Sequence, residues 1–240
     1  MDYNLLLIMI GICGVSYILL SLLWYTWYLG IGPTASSHIA RQIMIKRVLE
    51  LRTQLNQQDT LDKQTQPHLT KDPKPLNSVK VYELGSGWGG LSVSLAQQSI
   101  LYDKKQGRSR LTTPIWIQSY ELAFIPYLYS KLYWHLHQIW NKAFQAQTEA
   151  QAQTQTILPV RLIFQNTDFI SSIASLEAKS ILMAYLCPKQ MTRIADRLAQ
   201  INQPLGIYLL SLTFALPGHQ AIHVERIPNV FRDPLYLYLI

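Results

Sequence analysis

The sequence predicts an α/β fold, a mostly parallel seven-stranded sheet closed by an antiparallel hairpin and preceded by one transmembrane helix. Three observations predict it. After residue 79, short apolar runs alternate with helical patterns, the order in which a parallel sheet acquires its flanking helices. The last two apolar runs, His219 to Ile227 and Asp233 to Ile240, are separated by Pro228 and Asn229 with no room for a helix, so they read as a hairpin. From Leu5 to Leu29 there is no charged residue.

That uncharged stretch is long enough to cross the hydrocarbon core of a bilayer as a helix. Trp24, Tyr25, Trp27 and Tyr28 stand at its end like an interfacial aromatic belt. A cleaved signal peptide calls for a basic start and a shorter apolar run, whereas this chain opens Met-Asp-Tyr-Asn and stays apolar for longer. Residues 1–30 are therefore expected to be a single-pass anchor. Asp2 is the only charged side chain before it, while Arg41, Lys46, Arg47 and Arg52 follow soon after, which places the body on the cytoplasmic side.

All 21 Lys and Arg lie after residue 30, with 13 of the 14 acids, a net excess of eight positive charges. Beside an anchor, such an excess favours anionic lipid headgroups. The basic residues are scattered and form no RNA- or DNA-binding motif, so nucleic acid is not expected as a partner. The two cysteines, Cys13 and Cys187, form no disulfide framework. No CxxC or HExxH pattern is present, and no metal is expected. The closest histidine pair, His135 and His137, points to different faces of a helix.

Residues 31–78 are expected to form a membrane-proximal helix and a polar linker. Gly32-Pro33-Thr34 breaks the first helix, and Ser36 or Ser37 can cap a second from His38 to about Leu55. Asn56 to Ser78 turns polar, holds three prolines and shows no periodicity, so it reads as a flexible loop. From 79 to 240 comes the main domain. Its parallel strands are drawn as Val79–Leu84, Ile115–Glu121, Val160–Phe164, Ser180–Leu186 and Gly206–Phe214, with helices starting near Trp88, Pro126 and Lys189. In the helix from Pro126 to Phe144, Leu128, Leu132, Tyr133, Leu136 and Ile139 share one broad face, and helical periodicity of this kind predicts a core-facing stripe. Phe144 to Thr156 is low in complexity and reads as a helix tail or exposed loop. Leu101 to Pro114 reads as a basic polar insertion whose one acid is Asp103.

The chemistry is concentrated in VKVYELGSGWGGLSVSLA, Val79 to Ala96: a strand, an acid, a glycine-rich turn and a helix start in succession. Gly85, Gly87 and Gly89 let the backbone take positive φ and approach a ligand. Glu83, two residues before the first glycine, suits a cationic amino group better than a phosphate, which it would repel. S-adenosylmethionine carries such a group. Gly85, Gly87 and Gly90 also satisfy the GxGxxG of dinucleotide sites. That reading calls for an acid about twenty residues further on, in a segment whose one acid is Asp103. A P-loop lacks its Lys-Ser or Lys-Thr after the glycines. A glycine turn holding no cofactor stays open as a third alternative.

On a doubly wound sheet, ligands bind beyond the carboxyl ends of the strands. Glu83, Gly85, Ser86 and Gly87 are thus expected to hold the cofactor at the first strand. Glu121, ending the second, is placed to accept from both ribose hydroxyls, or is simply a solvated acid at a helix start. Asp168, after the third, is placed to accept from the adenine amino group with Phe169 against the ring, unless it is only a helix cap. The fourth strand ends in Tyr185-Leu186-Cys187-Pro188, where Tyr185 and Pro188 are the candidates for positioning a substrate. Methyl transfer from a sulfonium asks mainly for an in-line nucleophile, so no obligatory base is expected.

These residues resemble a known family, the small membrane-anchored lysine methyltransferases that modify the ATP synthase c-subunit and the adenine nucleotide translocase. The resemblance rests on the Pro33-Thr34 segment, the YELGSGWGG loop, Tyr120 to Lys131 (YELAFIPYLYSK), Tyr185 to Met191 (YLCPKQM) and Phe214 to Gly218 (FALPG). It implies a Rossmann-like class I methyltransferase fold, S-adenosyl-L-methionine held by Glu83, Gly85 and Gly87, Glu121 on its ribose, and lysine methylation of a membrane protein. Trp88 departs from it, standing where the family often has an acid, and the inserts at Asn56 to Ser78 and Tyr102 to Pro114 lengthen the body. Two other functions stay open, a non-catalytic membrane scaffold keeping the fold, and methylation of a lipid or hydrophobic small molecule.

Overall fold

The computed structural model describes residues 3–29, 37–65, 79–105, 114–148, 160–201 and 206–240. Helix α1, Tyr3–Leu29, comes first, and it is long and apolar enough to cross a bilayer from Tyr3 to Trp24, with a mean hydropathy of 2.5. Trp24 and Trp27 pack together at its end with ring centroids 5.6 Å apart. The predicted break at 32–34 lies outside the described residues.

Helix α2, His38–Thr65, starts where Ser37 caps it: the Ser37 hydroxyl accepts from the Ala40 N–H at 3.2 Å. It runs ten residues past the predicted end at Leu55, because no proline or glycine interrupts the polar stretch after it. The part of the predicted loop from 56 to 65 is therefore helix, and the rest lies outside the described residues. Helix α2 is also part of the core. Ala40, Met44, Ile45, Val48, Leu49, Leu51 and Leu55 are buried in the same apolar cluster as the sheet.

The sheet holds seven strands: β1 (Val79–Leu84), β2 (Ile115–Tyr120), β3 (Val160–Gln165), β4 (Ile181–Ala184), β5 (Tyr208–Leu212), β6 (His223–Arg226) and β7 (Pro234–Leu239). Their order is β3-β2-β1-β4-β5-β7-β6. The first five are parallel, while β7 lies antiparallel between β5 and β6, so the predicted hairpin forms and its second strand inserts into the sheet. The fold is thus the α/β, Rossmann-like arrangement the alternation predicts, with several strands shorter than drawn. Helices α3 (Gly90–Lys105), α4 (Phe124–Thr148), α5 (Phe169–Ser172, followed by a 3-10 turn at Ile173–Ser175) and α6 (Pro188–Ala199) connect the strands.

Strand period divides the core in two. Val79, Val81, Ile115 and Ile117 face the cluster that α2 and α3 complete, while Tyr82, Leu84 and Tyr120 face the cluster containing Met191, Ile194 and Leu198 of α6. The α3 side includes one buried ion pair. Arg52 of α2 donates to Asp103 of α3 through both terminal nitrogens, at 3.2 and 3.0 Å. Asp103 therefore belongs to a helix, and the predicted polar insertion is helical as far as Lys105.

The apolar stripe of α4 is the clearest reversal. Leu128, Leu132, Tyr133, Leu136 and Ile139, predicted to face the core, are all exposed, Leu132 by 57% and Leu136 by 55%. The seam that packs inward is Pro126, Ser130, Trp134 and His137. Trp134 stacks on His137, and the His137 ring shares a hydrogen bond of 2.5 Å with Gln97 of α3.

Candidate functional site

The glycine turn after β1 sits at the carboxyl edge of the sheet, between β2 and β4. Its three glycines all have positive φ: 71° at Gly85, 52° at Gly87 and 72° at Gly89. They differ in what surrounds them. A Cβ on Gly85 would come within 2.6 Å of the Leu186 side chain, and one on Gly89 within 2.7 Å of Ser130, so these two are glycines because the protein packs against them. At Gly87 nothing lies within 4 Å of that position, which leaves open space over the middle of the turn.

Two buried carboxylates belong to the turn's surroundings, Glu83 just before it in the chain and Glu121 hydrogen-bonded to Gly87. Glu83 lies on the face that α2 and α3 cover, and it accepts from the hydroxyls of Ser92 in α3 and Ser119 in β2, the latter at 3.0 Å. Burial pushes its pKa up to about 7 despite these bonds, and the charge of Glu121 adds to the rise. Glu121 follows β2 and bridges to the turn. Its Oε2 accepts from the Gly87 N–H at 2.6 Å, and its Oε1 from the Ala123 N–H at 2.7 Å. Burial raises its pKa as well, against those backbone bonds. Two acids dried to this degree gain most from a cation placed between them.

Ser86 supplies a further sign. Its N–H donates to the Tyr120 carbonyl at 2.8 Å, while its hydroxyl is buried without a hydrogen-bond partner. A buried polar atom left unsatisfied costs about 1–3 kcal/mol, so it usually marks a ligand contact or a water. The open cradle at Gly87, the orphaned Ser86 hydroxyl and the paired acids together fit S-adenosyl-L-methionine, whose ammonium and sulfonium are cationic and whose ribose offers two hydroxyls. They fit a pyrophosphate badly, because both carboxylates would repel it.

The remaining expected residues stand differently. Asp168 caps α5, accepting from the Ile170 N–H at 3.1 Å, and its other oxygen accepts from Arg193 of α6 at 2.6 Å. The helix-cap alternative therefore describes what it does in this structure. Phe169 is buried in the α6-side core with Tyr120, so its ring is held by packing. Tyr185 is half-buried against the α3-side core, and Pro188 is exposed as the first residue of α6. Leu186 and Cys187 between them are buried, which fixes this segment directly beside Gly85. No group of His, Cys, Asp and Glu suited to a metal ion occurs among the described residues.

Sequence reasoning missed three residues here. Ser92 and Ser119 hold Glu83 in place, and their signal was a serine nine residues after an acid and another at the end of the next strand. Asn166 is the third, donating to the Glu121 carbonyl at 2.9 Å and so tying the β3 edge to the site.

No protein-family model matches the chain, and no curated protein does. Solved structures do resemble it at low identity. An rRNA methyltransferase, aviRa, of Streptomyces viridochromogenes is 10% identical over 72% of this chain and 80% of its own, with a TM-score of 0.44. A putative S-adenosylmethionine-dependent methyltransferase of Listeria monocytogenes is 10% identical over 61% and 53%, with a TM-score of 0.31. The plantazolicin methyltransferase BpumL, in complex with SAH, is 14% identical over 85% and 63%, also with a TM-score of 0.31.

Proposed function

We propose that this protein is a membrane-anchored S-adenosylmethionine-dependent methyltransferase whose acceptor is a lysine of a membrane protein. The observation that carries the reading is two buried acids, Glu83 just before the glycine turn and Glu121 hydrogen-bonded to it, beside a turn that stands open at Gly87. The bound donor supplies an activated methyl group on a sulfonium. The chain's own residues then have four tasks. Glu83 would pair with the donor's ammonium as a carboxylate, any proton it carries with its pKa near 7 passing to solvent. Glu121, which accepts from the Gly87 N–H, would hold the ribose hydroxyls. Ser86 finds a partner for its buried hydroxyl. Tyr185 and Pro188, on either side of the Leu186 that packs on Gly85, would orient the incoming amine, so that positioning carries most of the catalysis.

Two features support the membrane side of the reading, α1 as a span and the basic residues that follow it, which favour a cytoplasmic body. A lysine acceptor follows from the family resemblance of the loop and strand-end motifs.

Titration calorimetry on the detergent-solubilised full chain tests the cofactor. S-adenosylmethionine and S-adenosylhomocysteine are expected to bind, with affinity for the cationic donor rising as pH rises through about 7 and Glu83→Gln losing that dependence. Absence of binding by either compound sinks the proposal. Incubating membranes with methyl-labelled donor then identifies the acceptor: label in protein supports the lysine reading, label in lipid replaces it, and label in neither leaves a scaffold.

A further inference from the structure

The exposed stripe on α4 has no role in the methyl-transfer site, and it is large. Phe124, Leu128, Leu132, Leu136 and Ile139 follow one another at spacings of four, four, four and three, with Tyr129, Tyr133 and Trp140 on the flank. All eight are exposed, Trp140 by 75%. Apolar residues scattered singly on a surface are ordinary, but eight contiguous ones along one helix mark an interaction surface.

What covers the stripe is indicated by its neighbours. Helix α1 touches the body at α4, and the α1 residues with reduced exposure, Ser21, Leu22 and Thr26, lie toward its carboxyl end. Those contacts cover little of either helix, since the span is 0% buried. The composition of α4 also suits a lipid surface. Between Phe124 and Thr148 there is no acid, and the charged residues are Lys131 and Lys142. Aromatic and leucine residues on one face with lysines alongside are the pattern of a helix lying in the plane of a bilayer interface.

We propose that α4 is a second membrane contact, lying in the headgroup and acyl boundary of the bilayer that α1 crosses, with anionic headgroups around its lysines. The proposal rests on α1 being the span. It also has a consequence for the site. The Trp88 ring of the glycine turn meets Tyr129 edge-on, with centroids 5.3 Å apart, and the Ser130 hydroxyl donates to the Gly87 carbonyl at 3.2 Å. Seating α4 in the interface therefore holds the glycine turn at a set height beside the bilayer, within reach of a side chain emerging from it.

The full chain, reconstituted in phosphatidylcholine and phosphatidylglycerol vesicles doped with a diazirine phospholipid, tests this by photolabelling and peptide mapping. Trypsin separates the span, in peptide 1–41, from the α4 stripe, in peptide 132–142. Both are expected to carry lipid label. In the chain with Leu132→Glu and Leu136→Glu, label should fall to background on segment 132–142 and stay on 1–41, with unchanged circular dichroism because both positions are exposed. Lys131→Glu, which removes the tryptic site and leaves the stripe in peptide 111–142, should lower the α4 label only in vesicles containing phosphatidylglycerol. Label on 1–41 alone overturns the proposal and leaves the span intact. An unlabelled 1–41 removes the span itself. Crosslinks from 132–142 to a protein in native membranes, in place of lipid, assign the stripe to a protein partner and also overturn it.

Discussion

Helices α2 and α4 have opposite compositions and opposite fates. By sequence α2 is the more polar, rich in Gln and Arg, yet it buries seven apolar residues and one arginine in the main core. Helix α4 displays the better apolar stripe, yet turns it outward and packs inward through Pro126, Ser130, Trp134 and His137. The difference teaches that periodicity identifies a face and leaves its occupant undetermined. A helix needs only enough apolar contact to seat it on the sheet. The seam of α4 achieves that with one tryptophan and close packing of Ser130 on the glycine turn, which frees the leucines for another surface.

Substitutions on the two helices should separate these fates sharply. Arg52→Ala is expected to be the most damaging, about 3–5 kcal/mol, because it strands the Asp103 carboxylate between α2 and α3. Denaturant unfolding of the solubilised chain measures it, and a loss below about 1 kcal/mol would mean that α2 is loosely held. Next comes Ile45→Ala, fully buried on α2, at about 2–5 kcal/mol by the same measurement.

A third probe asks how dry the α2-covered side is. Glu83 has a folded pKa near 7 against an ordinary 4.5, because burial favours its protonated form. Its contribution is complete below 4.5 and is lost as pH rises through about 7, on the order of 3 kcal/mol. Glu83→Gln should flatten that slope, and melting curves across the interval decide it; an identical slope in the variant would show that water reaches the carboxylate. Smallest of all is Leu132→Ala on the outer face of α4, within about 0.5 kcal/mol in detergent. A loss comparable to that of Ile45→Ala would mean that the stripe is covered by the protein itself.

Much of the site was legible in the chain. The succession of Val79 and Val81, Glu83 and the glycines specifies a strand, an acid at its end and a tight turn, because each residue acts through its own backbone preference or charge. Glu121 was legible for the same reason, standing at the end of an alternating apolar run. For Asp168 the chain left two readings open. An Asp before a short helix reads equally as a cap or a ligand contact, and Arg193, which engages it, is 25 residues away on α6. The extension of α2 past Leu55 was hidden because a polar helix shows no apolar period to recognise.

By itself the sequence determined what is local: seven strands with their order along the chain, an uncharged stretch long enough to cross a bilayer as a helix, a glycine turn between two acids, and the face on which each helix is apolar. Tertiary structure alone decided what is relational. It placed β7 between β5 and β6, drew α2 into the core, joined Arg52 to Asp103 across 51 residues, and left the leucines of α4 uncovered. The physical reason is that backbone preference and side-chain period act over a few residues, whereas burial depends on which surfaces meet, and two stripes of equal apolarity gain equally from any partner that removes them from water.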